Sequence, residues 1–510
     1  MQTHVVIIGG GPVGLLLAAE LAGYGVDTVV LEAQDAVSER PKATTLHARA
    51  VQCLARRGHL PEHVPLSAGG DGCGCPFHFA GLPGLVITAP EGEPEPILKW
   101  PQAELERLFE ARARKAGARI LRGHRVAEIR QEQEQESEQE SDGVAGAGGA
   151  VTVRAEGPHG PLTLTARYAV GADGARSTVR EQAGIASETH PATVSALTGT
   201  VRLRDGALAD GWHRTPHGWI VAKSDPRTGE THIRTLNCAG AHSERHLPPT
   251  LDELRREVAR IAGRHIGMDE PRWLGRFSDF ARLAGTFRRG RVFLAGDAAH
   301  VHFPIGGQGL STGVLDALNL GWKLALAVHG QAGPGLLDSY DRERRPAARR
   351  VLDNTRAQLA LMRPGPELDA LRALFAALLS ADRDAGHLRN MISAQDTVLP
   401  GCTGRTPFGG GTFLPNVALH TPQGETDVIG LLQEGRPLLL LFGDGARVHR
   451  ETARGWEGVL RVVRARPVPE VPYEALLVRP DGYVAWAPGG EGLEAALSEH
   501  FAAPVPAALP

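Results

Sequence analysis

The sequence predicts an α/β chain built around a parallel sheet, and three stretches carry that prediction. Val5-Val6-Ile7-Ile8 runs into Gly9-x-Gly11-x-x-Gly14. Tyr168-Ala169-Val170-Gly171 runs into Asp173-Gly174, and Val292-Phe293-Leu294 runs into Gly296-Asp297 and then Pro304-Ile305-Gly306-Gly307-Gln308-Gly309. Short, β-rich apolar runs that end at glycine turns read as strands buried on both faces, the condition of a parallel sheet covered by helices.

The bulk properties narrow the class. A length of 510 residues predicts two to four domains. With 42% hydrophobic and 22% charged residues there is material for several cores, and a net charge of −3 gives no reason to expect nucleic acid or an anionic membrane as partner. Five cysteines (Cys53, Cys73, Cys75, Cys238, Cys402) are odd in number and scattered, which favours a reducing cytoplasm over a disulfide framework. Cys73-x-Cys75 offers half a zinc site, so no metal is expected. The apolar residues 5–26 lack a basic leader and are cut by Gly9-Gly10-Gly11-Pro12, so they do not read as a leader peptide or a spanning helix.

Along the chain, residues 15–24 read as a helix with Pro12 at its entry, and residues 28–31 as a second buried strand, completing a βαβ unit. Residues 103–116 have helical periodicity. The tract 131–142 alternates Gln and Glu and leads into a Gly/Ala run to Ala150; nearly devoid of apolar residues, it reads as an extended loop joining two antiparallel strands. Residues 185–284, with 68–100, read as an inserted mixed-sheet unit with one helix near 251–261. Residues 316–328 and 336–362 read as helices and 361–399 as a helical connection. After a Gly/Pro-rich stretch at 400, residues 438–442 read as a strand and 475–486 as a hairpin turning at Pro480-Asp481-Gly482.

Each turn has a chemical use. Gly9 permits a tight turn, Gly11 lets backbone approach a pyrophosphate, and Gly14 lets the helix pack closely on the strand, leaving its N-terminus aimed at the anion. Glu32 closes the second strand 18 residues after Gly14, where an acid accepts from ribose hydroxyls. Together they predict a bound dinucleotide. Asp173-Gly174 can present an acid and amides to a ligand, although a plain hairpin turn explains it equally well. Asp297 stands at a strand end, where it can bind a sugar-like hydroxyl. The following glycine loop exposes amides at a helix starting near Ser311, whose positive end would favour a reduced, anionic flavin. His300 and His302 lack a third ligand for a metal.

In this order and spacing, the three constellations resemble the class A FAD-dependent aromatic hydroxylases, the group of the p-hydroxybenzoate and phenol hydroxylases. Length and C-terminal unit are most similar to the aromatic polyketide and antibiotic-modifying branch. The resemblance implies a Rossmann-like FAD-binding domain (1–67, 101–184 and 285–360), an inserted mixed β-sheet substrate domain (68–100 and 185–284) and a thioredoxin-like domain (400–510) lacking Cys-x-x-Cys. It implies that Gly9, Gly11, Pro12, Gly14, Glu32 and Ala33 hold the ADP half of FAD. Asp173, Gly174 and Arg176 match an Asp-Gly motif used for both FAD and NAD(P)H. Asp297 matches the acid on the ribityl chain, and Pro304, Gly307, Gly309, Leu310 and Ser311 the loop along the isoalloxazine. Lys42, Arg49, Gln102 and Val126 complete the implied cofactor site. Ser311 stands where Asn is frequent, and Lys42 stands near where Arg is common.

The activity implied is hydroxylation of an aromatic, polycyclic polyketide-type substrate with NADPH or NADH and O2, through a flavin C4a-hydroperoxide. No side-chain acid or base is nominated; Arg49, Pro304 and Gly307 are expected to line the flavin. Tyr24, His47, His213, His217 and Trp219 are candidate pocket or packing residues. A Baeyer–Villiger or ring-opening oxygenase on the same scaffold, and a flavoprotein that sequesters a drug without turnover, are the alternative readings. No membrane partner is expected, and the state expected is monomer or homodimer.

Overall fold

The computed structural model describes residues 1–61, 64–66, 74–132, 149–204, 208–242, 247–381, 386–400, 410–443, 446–489 and 492–502. The central sheet runs Arg288–Arg289, Val292–Leu294, Gly160–Gly171, Gln2–Ile8, Thr28–Glu32, Arg119–Arg122 in spatial order. Its four inner pairings, from Val292–Leu294 to Arg119–Arg122, are parallel. That is why residues 5–8 and 29–31 read as unbroken apolar runs: each lies 0–4% exposed, between helices on both faces.

The first helix is Pro12–Gly23, so Pro12 is its first residue, and the helix starts three residues ahead of expectation. Leu336–Met362 forms as expected, and the preceding helix spans Gly309–Val328, two residues ahead of the start expected near Ser311 and two turns ahead of the periodic segment 316–328. Gly309 to Gly313 carry little periodic signal; tertiary packing recruits them, since a Cβ on Gly313 would meet Val13 at 2.6 Å. Arg125–Gln131 and Val151–Gly157 pair antiparallel on either side of the acidic tract, whose residues 133–148 lie outside the described residues.

A second sheet, Gly211–Thr215, Gly218–Asp225, Glu230–Asn237, Ser195–Leu203, Met268–Ser278, is antiparallel throughout. The helix Leu251–Ala262 covers one face, packing Leu254, Val258 and Ile261 on Leu197, Val201, Ile220 and Ile233. The hairpin Cys75–Phe79/Leu82–Ile87 and the helices Pro366–Ala381 and Gly386–Ser393 share a separate cluster with Trp219 and Leu236. Ile97–Lys99, expected with the inserted unit, instead pairs with Thr45–His47.

In the C-terminal unit Leu438–Phe442 is flanked by a parallel strand, Arg461–Ala465, and the antiparallel hairpin Ala475–Val478/Val484–Trp486. The hairpin turn is buried against the central unit. Arg479 pairs with Glu343 and Asp481 there, and Lys323 donates to the same Glu343 at 2.7 Å. Tyr24 docks the same unit by donating to the Gly435 carbonyl at 2.7 Å.

Candidate active site

Gly9 has φ +108°, and a Cβ there would stand 2.2 Å from the Ala172 carbonyl oxygen. A Cβ on Gly14 would stand 2.1 Å from the Gly9 carbonyl oxygen, so strand, turn and helix close only with hydrogen at both positions. Gly11 differs: nothing lies within 4 Å of its Cβ position, which opens on a cavity of about 1020 Å³. The N-terminus of Pro12–Gly23 faces the same space, ready for an anion. Glu32 stands alongside, accepting from the Gly10 amide at 2.6 Å and the Gln34 amide at 2.7 Å. Each carboxylate oxygen keeps lone-pair capacity for a hydroxyl.

Asp173 and Asp297 line the same cavity from the other two constellations. One Asp173 oxygen accepts from the Val179 amide at 3.1 Å, while Oδ1 is buried without a partner. Burial pushes the Asp173 carboxyl up, as it does Asp297, which is enclosed by protein yet opens on the cavity. Leaving a buried acceptor unmade costs about 1–3 kcal/mol, so such an atom marks a place for a ligand donor.

The loop at 304–309 turns through Gly306 and Gly307, at φ +75° and +64°. His47 holds it: its Nε2 donates to the Gly306 carbonyl at 2.8 Å, and its amide donates to Ser311 Oγ at 2.9 Å. Burial pushes the His47 imidazole down to about 4, so the ring acts as a neutral brace. Behind Asp297, Asp316 accepts from the Gly296 amide at 3.1 Å, from His300 Nε2 at 2.7 Å and from Arg344 Nε at 2.8 Å.

Gly9, Gly11, Pro12, Glu32, Ala33, Lys42, Gln102, Val126, Asp173, Gly174, Arg176, Asp297, Pro304, Gly307, Gly309 and Leu310 all line this one cavity. Three expected residues do not. Gly14 supports it by close packing, and Ser311 turns its hydroxyl to the His47 backbone. Arg49, expected to line the flavin, is not among the cavity-lining residues: its guanidinium lies 3.6 Å over the Phe413 ring and donates to Gln52 Oε1 at 2.9 Å, the Gln395 carbonyl at 2.8 Å and the Ala394 carbonyl at 3.4 Å. An aromatic face and three acceptors satisfy the cation there.

Trp219 does line the cavity. Tyr24 docks the C-terminal unit, and His213 bonds the Ala209 carbonyl at 2.7 Å. His217 receives the Arg260 guanidinium on its carbonyl at 3.2 Å. Among the described residues no group of His, Cys, Asp and Glu could hold a metal. Cys73 lies outside them. No described helix is long and apolar enough to cross a membrane.

The cavity runs on beneath the second sheet, walled by Trp212, Trp273, Phe277, Phe303, Leu236 and Met362 with Thr198, His232 and Arg234 among them. Sequence reading passed over these wall residues. Alternation along Thr231-His232-Ile233-Arg234-Thr235-Leu236 was the available signal, because His232, Arg234 and Leu236 fall on one face.

A dinucleotide fold, a loop over a second acid and an aromatic-walled extension thus share one space. The family described as the FAD binding domain matches residues 2–355, and that described as the C-terminal part of aromatic-ring hydroxylases matches residues 409–504. This chain belongs to the FAD-dependent aromatic-ring hydroxylases. It is 37% identical over 507 residues to a dialkyldecalin synthase of Streptomyces rugosporus, covering 98% of this chain and 99% of that protein. It is 36% identical over 533 residues to the 12-dehydrotetracycline 5-monooxygenase/anhydrotetracycline 6-monooxygenase of Streptomyces rimosus, covering 99% of this chain and 100% of that one. Among solved structures it superposes on CabE, an aromatic hydroxylase from angucycline biosynthesis, with TM-score 0.86 and 35% identity, covering 98% and 99% of the two chains.

As a hydroxylase of this family the chain takes FAD as cofactor, and its cavity fits that group. The open approach at Gly11, the acid at Glu32 and the orphan acceptor of Asp173 meet the needs of a nucleotide tail. The paired left-handed glycines leave room and amides for a flat ring.

Proposed function

We propose that this flavin monooxygenase hydroxylates a polycyclic aromatic, polyketide-type substrate, using NADPH or NADH and O2. The observation that carries the reading is the continuity of the cavity, from Glu32 and Gly11 through the 304–309 loop to the wall of Trp212, Trp219, Trp273, Phe277 and Phe303. A space lined on one side by flat aromatic side chains and bounded by a flavin-type loop suits a fused-ring ligand lying beside the cofactor.

When bound, FAD supplies hydride acceptance and oxygen activation. The chain's residues do the rest. Gly9, Gly11, Pro12, Glu32 and Ala33 would seat the adenosine end, Gln102 would contact the flavin or its linker, and Lys42 and Val126 would complete the site. Asp173, Gly174 and Arg176 would meet ligand hydroxyls and phosphates, and Asp297 would accept from the sugar alcohol chain. Pro304, Gly307, Gly309 and Leu310 would form the edge that holds the ring, and the positive end of Gly309–Val328 would favour negative charge on it. The aromatic wall excludes water from the reacting carbon.

The division into an FAD unit, a substrate unit and a thioredoxin-like C-terminal unit has support in separate hydrophobic clusters for each sheet. In the C-terminal unit one parallel and two antiparallel pairings fit the thioredoxin-like order.

The test is turnover. Purified, FAD-loaded protein offered fused-ring aromatics should show substrate-stimulated NAD(P)H oxidation and O2 uptake, with a product heavier by one oxygen atom. Unchanged recovery of every fused-ring ligand, with no stimulated oxidation, would sink the proposal.

A further inference from the structure

The cavity face of the second sheet can be written from its register. Val221, Arg234, Thr198 and Gly275 stand side by side across four strands; Lys223, His232, Thr200 and Trp273 form the next row. The alternate residues, Ile220, Ile233 and Leu197, are taken up under the helix Leu251–Ala262. Strand periodicity therefore sends two cations and a histidine to the ligand side of a wall otherwise made of aromatic, aliphatic and hydroxyl groups.

Burial first, then Arg234 and Lys223, push the His232 imidazole down to about 4, so at neutral pH the ring is uncharged. Its Nε2 accepts from Arg234 Nε at 3.1 Å, and its Nδ1 lies 3.3 Å from Thr200 Oγ1. The histidine thus steadies the guanidinium without neutralising it. Among the described residues no carboxylate pairs with Arg234. Arg276, the neighbouring cavity arginine, is already taken by both oxygens of Glu253, at 2.6 and 2.8 Å. The acids that line the cavity (Glu32, Asp173 and Asp297) all belong to the dinucleotide end. Lys223 and Lys99 add positive charge near Arg234 rather than relieving it. Among the described residues no protein group holds the terminal nitrogens of the Arg234 guanidinium, which opens on an aromatic chamber and so offers a preorganised site for a planar oxyanion.

We infer that Arg234 anchors an acidic group of the substrate, so that this cavity selects fused-ring aromatics carrying a carboxylate or the oxyanion of an acidic enol. The inference rests on the proposed hydroxylase reading and specifies which aromatics it takes. His232 is the positioning residue that holds the guanidinium in the plane of the wall.

The experiment titrates FAD-loaded enzyme with two probes of one shape, anthraquinone-2-carboxylate and anthraquinone-2-carboxamide, following tryptophan fluorescence. The carboxylate should bind about tenfold tighter or more. In Arg234→Gln, checked for retained flavin absorbance, the carboxylate should weaken by about tenfold to a hundredfold while the carboxamide is unchanged, and Arg234→Lys should recover part of the loss. KM for NADPH should not move. Equal binding of the two probes to wild type, or equal loss of both in Arg234→Gln, overturns the inference and leaves the hydroxylase reading standing. A variant that weakens NADPH but not the carboxylate also overturns it, since the oxyanion would then be a nucleotide phosphate. If neither probe binds the wild type, the fused-ring reading of the cavity falls with it.

Discussion

Asp316 and Arg344 form a fully buried ion pair, 2.8 Å from Oδ1 to Nε, directly behind the turn that carries Asp297. The other Asp316 oxygen receives the Gly296 amide and His300. Burial alone would raise the Asp316 carboxyl; His300 and Arg344 outweigh it and hold it below the usual range. Asp316→Asn should strand a buried guanidinium and cost about 3–5 kcal/mol of stability. FAD should also bind more weakly, because the Gly296-Asp297 turn loses its anchor. Urea unfolding and flavin titration check the two effects separately.

The two glycines of the first turn should fail differently. Gly11→Asp has room for its Cβ and should fold, yet its carboxylate enters the space for the pyrophosphate, and FAD should be lost. Gly14→Ala has no room, with backbone 2.1 Å away, and should lower the melting temperature as well as cofactor retention. A yellow, fully loaded Gly11→Asp protein would refute the pyrophosphate placement.

Glu20 gives the chain an acid-sensitive joint. It accepts from Arg57 at 3.0 Å and bonds His59 at 2.6 Å, and Arg57 in turn donates to the Leu432 carbonyl of the C-terminal unit at 2.8 Å. Burial opposes ionisation, but Arg57 and His59 bring the carboxyl down to about 2 from 4.5. A depressed carboxyl stabilises the fold fully above its unfolded value and loses that contribution as pH falls towards the folded one. Stability should therefore decline between about pH 4.5 and 2, and Glu20→Gln should be less stable at neutral pH with a flatter decline. Thermal unfolding across that range decides it.

The hairpin turn Arg479–Asp481 should be worth more than its length suggests. Burial would raise Glu343, yet Arg479 and Lys323 overcome it and hold the carboxyl well below its ordinary range. Arg479→Ala leaves Glu343 with Lys323 and Asn319, and leaves buried Asp481 without a cation and with only the neutral donors Asn319 and Trp322, so a loss of about 3–5 kcal/mol is expected in urea melts. Turnover per folded, FAD-loaded molecule should stay within about twofold if the unit serves packing alone.

Replacing residues 133–148 with Asn-Gly should leave turnover nearly intact, since Gln131 and Val151 already face each other across the antiparallel pair. Loss of activity in a folded deletion would show that the acidic tract has a task of its own.

The residues proposed to hold the cofactor at Gly9, Gly11, Glu32, Asp173 and Asp297 were legible because a glycine turn after a buried strand has few physical uses and the acids stand next to such turns, whereas Lys42, Gln102 and Val126 came only with the family resemblance. Local chain chemistry decided the parallel core, the dinucleotide turn and the hairpin at 480–482, whose requirements are met within a few neighbours. The destination of side chains that have a choice of partners was not local. Arg49 packs its guanidinium on the ring of Phe413, 364 positions later in the chain. Ser311 serves His47, and Asp316 gathers His300 and Arg344 from two other elements. His232 and Arg234 reach the cavity only because four strands come into register. Long-range packing sets which face of an element meets ligand and which meets protein, and no window of neighbouring residues contains that information.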